Sequence, residues 1–161
     1  MPDTRKEFNQ KRYNESDKKA KQTIINYLKP MNYSLIDASE NFSFDLACYI
    51  SDQVHSFHEV EIKYQWKDYW PDSWKEIRIP FRKIRLINLW KEKYPNCLLS
   101  FYVLNCFCTK AWHIKGNVVE ESEVKEVSNR LVKQGEKFFH IKVEDANLLE
   151  NLNYENSSGR Y

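Results

Sequence analysis

The chain has 161 residues, 42% of them hydrophobic and 30% charged, with a formal net charge of +2. That length suits one domain with a core of its own, and no apolar run approaches the roughly 20 residues that a membrane-spanning helix needs. The polar opening "MPDTRKEFNQKRYNESDKKAKQ" lacks the apolar centre of a secretory signal, so a cytoplasmic protein with no membrane partner is expected.

Four cysteines in a reducing compartment point to small buried side chains, and Cys106 and Cys108 lack a second pair at zinc spacing. Charge is uneven along the chain. Lys75, Arg78, Arg82, Lys83, Arg85, Lys91 and Lys93 face only Glu76 and Glu92 over residues 75–93, whereas "EESEVKE" is acidic. One basic face could therefore meet a phosphate backbone. The wealth of Lys, Asn, Ile and Tyr suits an AT-rich genome, such as that of a phage or mobile element.

In chain order, residues 1–15 read as a flexible basic arm, 16–150 as one folded domain and 151–161 as a frayed tail. Ser16 or Asp17 can cap a helix over 17–29, with Ala20, Ile24, Ile25 and Leu28 in one stripe and Pro30 as its stop. "NYSLIDAS" predicts a short strand, and "FSFDLACYI" a second with Phe42, Phe44, Leu46 and Cys48 alternating. "FHEVEIKYQW" returns as its antiparallel partner, with His58, Val60, Ile62 and Tyr64 on one face and Glu59, Glu61, Lys63 and Gln65 on the other. An aromatic loop, "KDYWPDSW", leads to a helix over about 80–94 that Pro95 ends. "CLLSFYVLNCF" reads as a buried central strand and "KAWHIKG" as its neighbour. Residues 121–133 predict an amphipathic helix with Val124, Val127, Leu131 and Val132 inward, and "KFFHIKV" a last strand. This order predicts an α/β domain, a mixed β-sheet flanked by helices.

Asp45 stands in an otherwise apolar strand, against strand propensity. A hairpin can bring it beside Glu61, with Lys63 pointing the same way. Two such carboxylates repel, and burying them is costly without a counter-charge. Mg²⁺ (or Mn²⁺) removes that cost with a few oxygen ligands and retained waters. Lys63 beside the metal water can then orient or deprotonate a nucleophile and offset charge on a phosphorane, while Gln65 can hold a metal water or a phosphate oxygen. The pattern suits phosphodiester hydrolysis. The plainer alternative is the polar face of an edge strand, with Asp45 paired to Lys63. Glu59 is expected to be solvent-facing or outer to the ligands.

A helix, a strand carrying Asp45 in "FDL", a turn, and "EIK" after apolar Val60, then a helix and two strands, resembles the PD-(D/E)xK nuclease superfamily. The layout is similar to small Holliday-junction-resolvase-type members over about residues 16–115. The resemblance implies a restriction-endonuclease-like fold and a metal-dependent DNA endonuclease acting on branched or structured DNA. It implies Asp45, Glu61 and the Ile62 carbonyl as metal ligands, Lys63 as the catalytic lysine, and a homodimer that addresses two strands. Many members place a glutamate on the first helix where this chain has Lys21, with Asp17 and Glu15 the nearest acids. That departure leaves open a catalytically inactive relative, kept as a nucleic-acid-binding or protein-interaction subunit.

Arg78, Arg82, Lys83 and Arg85 suit phosphate contacts, against the alternative of an ordinary solvated helix face. Trp70 and Trp74, with Trp66 and Tyr69, could stack on unpaired bases; packing over the core is expected for at least two of these aromatics.

Overall fold

The computed structural model describes residues 10–31, 34–37, 43–127 and 135–155. In chain order the elements are α1 (Gln10–Leu28), β1 (Ser34–Asp37), β2 (Leu46–Ile50), β3 (Gln53–Lys63), β4 (Glu76–Pro80), α2 (Ile84–Lys93), β5 (Leu98–Asn105), β6 (Ala111–Lys115), α3 (Gly116–Glu121), β7 (Glu123–Glu126), β8 (Lys137–Lys142) and β9 (Asn147–Leu149). They form a mixed α/β fold with two sheets. The larger has six strands in the order β1-β2-β3-β5-β6-β9, and the smaller has three in the order β4-β8-β7. Only β3 and β5 run parallel in the large sheet, joined through β4 and α2.

Alternation along β3 sends its side chains to two different cores. Val60, with Leu46, Tyr102 and Leu104, meets Ala20, Ile24 and Leu28 of α1. Phe57, with Ala47, Phe101 and Val103, meets Ile77, Ile79, Leu86, Ile87, Phe139 and Ile141 from β4, α2 and β8. The helix stripe is therefore the expected one, and Ile24 is fully buried, a contribution of about 2 kcal/mol. Helix α1 starts earlier than the Ser16 or Asp17 cap predicts, because residues such as Gln10, Lys11, Arg12 and Glu15 favour helix and residues 10–16 contain no Gly or Pro. The rest of the arm, residues 1–9, lies outside the described residues, as does Phe42.

Three further expectations are corrected. The segment "EIRIP" forms β4, with Ile77 and Ile79 inward, and Pro80 keeps an extended backbone (φ −55°, ψ 133°), so α2 begins only at Ile84. Residues 123–126 are a strand rather than part of a helix, and Val124 is exposed; Val127 is buried as expected, while Leu131 and Val132 lie outside the described residues. Spacings of three suit either structure here, and pairing with β8 decides for strand. The last predicted strand, β8, joins β4 and β7 in the small sheet instead of extending the large one.

The first residues of the tail are held against α1. Asn26 donates hydrogen bonds to the carbonyls of Asn153 and Glu155 (2.9 and 2.8 Å), and Lys19 lies over the Tyr154 ring. Residues 156–161 lie outside the described residues. Cys48 and Cys108 are buried, Cys97 and Cys106 half-buried, and all four are free; Cys106 and Cys108 sit in the turn after β5 rather than in a strand. Among the described residues no helix is long and apolar enough to cross a membrane.

Candidate active site

Strand β3 is not an edge. It lies between β2 and β5 over residues 53–58, and the acidic Glu59 on it is buried rather than solvated. Its last five residues, 59–63, run past the end of β2 while still paired with β5. A two-residue turn joins β2 to β3, with Ser51 and Asp52 both at positive φ (51° and 66°), the twist that suits tight hairpins. From that turn, simple pairing would set Asp45 opposite His58, on the α1 side. A β-bulge between Cys48 and Tyr49 shifts the register by one, so that Leu46 pairs with His58. Asp45 then falls opposite Glu59, on the face shared by Glu61 and Lys63.

Asp45 ends up just before β2, not within it, after Ser43 in a left-handed conformation (φ 66°). Two hydrogen bonds replace the missing ladder there. The Asp45 N–H donates to Glu59 Oε2 at 2.6 Å, and the Val60 N–H donates to Asp45 Oδ2 at 2.9 Å. Each carboxylate thus satisfies a backbone donor of the opposing strand.

Glu59 is 1% exposed and is the centre of the cluster. Its Oε1 accepts a hydrogen bond from Lys83 Nζ at 2.7 Å. The same ammonium lies 3.2 Å from Glu61 Oε1, and Arg82 approaches that oxygen at 3.6 Å from the outside. Burial and the Asp45 carboxylate push Glu59 up to about 7, while the Lys83 bond acts in the opposite sense. The three surrounding carboxylates outweigh burial at Lys83 and hold it protonated, well above an ordinary lysine. Lys83 therefore departs from its expected place as a phosphate contact: it is buried and engaged by acids.

Beyond Glu61 the strand opens into a cleft of about 590 Å³. Glu61, Ile62, Lys63 and Gln65 form one wall, and Trp74, Lys75, Glu76 and Arg78 stand among the residues of the other. Lys63 Nζ sits over the Trp74 ring, 4.9 Å from its centre. Burial lowers the Lys63 amine below the usual lysine range, and Arg78 lowers it further. Among the described residues no carboxylate lies within ion-pair distance of Lys63, so it faces the cleft and not Asp45.

The other expected residues divide. Arg78 is exposed on the cleft, Arg82 stands at its margin beside Glu61, and Arg85 is exposed on α2 away from the cleft lining. Trp70 packs edge-on against Trp66 and Trp112, and its Nε1 donates to the Trp74 carbonyl at 2.7 Å, so it supports the loop. Trp74 alone of the two presents its ring to the cleft. Helix α1 lies on the opposite face of β3, where Lys21 pairs with Asp17 at 3.3 Å.

Of the two readings of Glu59, the solvent-facing one is wrong, because the side chain is buried against Lys83; Lys75, not among the expected site residues, lines the cleft. For Glu59 the signal was its shared parity with Glu61 and Lys63; what hid its role was the bulge.

The donors suit a hard divalent cation in kind. Asp45 Oδ1 and Glu61 Oε2 make no hydrogen bond or ion pair among the described residues, and three carboxylates surround a single buried ammonium. In this arrangement no three His, Cys, Asp or Glu side chains among the described residues are grouped to hold an ion, and Lys83 bridges Glu59 and Glu61 instead. No protein-family model matches the chain, and a search of curated proteins finds no match.

Proposed function

We propose that the chain is a metal-dependent DNA endonuclease of the PD-(D/E)xK, restriction-endonuclease-like type, hydrolysing phosphodiester bonds in branched or structured DNA. The observation that carries this reading is the gathering of Asp45, just before β2, with Glu59 and Glu61 of β3 around Lys83, where Glu61 opens onto a cleft lined also by Lys63 and Arg78. Asp45 and Glu61, with the Ile62 carbonyl, would hold Mg²⁺ or Mn²⁺. When bound, such an ion supplies Lewis acidity at a phosphate oxygen and acidifies the attacking water. Lys63, facing the cleft beside Glu61, would orient the attacking water and offset charge building on the phosphate. Trp74 fixes the direction of the Lys63 amine. Arg78 and Arg82 take phosphate oxygens through exposed guanidinium groups, and Gln65 offers an amide to a water or phosphate oxygen. A homodimer would set one such site against each strand.

The test is incubation with supercoiled, linear and branched DNA in Mg²⁺ or Mn²⁺, with Asp45→Ala and Lys63→Ala alongside. Cleavage that needs the ion and falls by about 100-fold or more in both variants is expected. Binding without cleavage, equal in all three proteins, would sink the enzyme reading. It would favour the second one, a catalytically inactive nucleic-acid-binding or interaction subunit. The observation on that side is Lys83, which already satisfies Glu59 and Glu61 in the manner of a permanent ion pair.

A further inference from the structure

The two bonds of Lys83 are unequal. Toward Glu59 the ammonium makes a 2.7 Å hydrogen bond to a side chain that solvent barely reaches. Toward Glu61 it makes a 3.2 Å ion pair, and Glu61 is 28% exposed on the cleft wall. Glu61 is thus the partner that a hydrated ion arriving through the cleft meets first. The backbone of Lys83 is fixed at the junction of a 3-10 turn with α2, so its four-carbon stem is what can move. A divalent cation held by the Glu61 carboxylate and an ammonium 3.2 Å from that same carboxylate repel strongly, so the two compete for it.

We infer that Lys83 is an internal cation that competes with the divalent metal for Glu61: metal binding breaks the Lys83–Glu61 link and leaves the Lys83–Glu59 link in place. The inference rests on Asp45 and Glu61 being metal ligands. It makes the carboxylate cluster an exchange site, kept neutral enough to fold without metal and loaded only when an ion outcompetes a tethered amine. Glu59 is the anchor of the exchange and not a ligand, since both of its oxygens are already committed, one to Lys83 and one to the Asp45 N–H.

Isothermal titration of the full chain with Mg²⁺ and Mn²⁺ alone, without DNA, tests it. Lys83→Met, which keeps the stem and removes the charge, should bind Mn²⁺ at least tenfold more tightly than the parent. Arg82→Gln, which removes an exposed and more distant charge from the same oxygen, should change affinity by less than threefold. Equal or weaker binding by Lys83→Met, in a protein whose binding is abolished by Glu61→Gln, overturns the competition and leaves the metal site standing. Absence of binding in both the parent and Lys83→Met overturns the competition and the metal site together. Should Lys83→Met fail to fold alone, recovery of its cooperative melt by Mn²⁺ supports the inference. Magnetic resonance of the nitrogen-labelled Lys83 ammonium in the parent needs no variant: its signal should shift on saturation with Mg²⁺ as the Glu61 contact is lost, and a signal that does not move refutes displacement.

Discussion

His58 shows how one residue can be committed by its surroundings. It lies on the α1 face of β3, where its ring bonds to Ser56 Oγ at 2.8 Å and to the Tyr102 hydroxyl at 3.1 Å, with Tyr102 stacked in turn on His113. Burial, with His113 and His55 adding to it, lowers His58 to about 3 from the ordinary 6.5. The native protein keeps this ring neutral, whereas the unfolded chain takes up a proton once the pH drops below its ordinary value. The resulting stability is complete above about pH 6.5 and is lost as pH falls toward 3, at about 1.4 kcal/mol per unit. Between pH 6.5 and 5 the parent should therefore lose about 2 kcal/mol more than His58→Gln, measured by urea unfolding. Identical pH slopes in the two proteins would show that His58 titrates normally. Glu59 illustrates the opposite case. Strand alternation left it solvent-facing or outer to the ligands, and its burial beside Lys83 makes it the one acid of the cluster that solvent does not reach.

At the level of the element, the β2–β3 hairpin turns a sequence pattern into a site. The bulge at Cys48/Tyr49 moves Asp45 from the His58 face to the Glu59 face, and the overhang of β3 leaves Val60 N–H for the Asp45 carboxylate to receive. Replacing Asp45 by Asn keeps an acceptor at that place; replacing it by Ala leaves a part-buried donor without a partner, at a cost of about 1–3 kcal/mol. Hydrogen exchange at the Val60 amide is the direct measurement. It should quicken in Asp45→Ala and stay slow in Asp45→Asn, while both variants lose the charge a metal needs. Fast exchange in both would mean that the strand overhang is held by something else. The same comparison separates the structural duty of Asp45 from its proposed duty as a ligand, which a loss of activity alone cannot do.

For the whole molecule, the small sheet matters as much as the large one. The β4-β8-β7 sheet turns Ile77, Ile79, Phe139 and Ile141 into the core and sends Glu76 and Arg78 the other way, toward the cleft. The basic segment seen in the sequence is thereby split. Lys75 and Arg78 stand across the cleft from Lys63, Arg82 flanks it, Lys83 goes inward, and Arg85 is exposed elsewhere on α2. If Lys63, Lys75, Arg78 and Arg82 each neutralise one phosphate, log K for duplex DNA should fall against log salt with a slope near about −3.6. Arg78→Ala should reduce that slope by about 0.9. An unchanged slope in Arg78→Ala would mean that the backbone passes along a different surface.

Hydrophobic patterning alone was enough to mark the α1 stripe, the antiparallel β2–β3 pair, the buried β5 and its β6 neighbour, because each buries a face with its own period and needs no distant partner to be recognised. The sequence pattern puts Asp45 beside Glu61, whereas the structure sets it directly against Glu59 of the same strand face. That placement depends on a register that local spacing gets wrong by one residue. Strand pairing decided what short, weakly patterned segments became: β4, β7 and β9 are strands because β8 and β6 offer them ladders. Long-range packing decided the charges. Lys83 and Glu59 look like solvent-facing residues in the linear chain, and only the folding of α2 over the sheet brings them to 2.7 Å, where burial makes each necessary to the other.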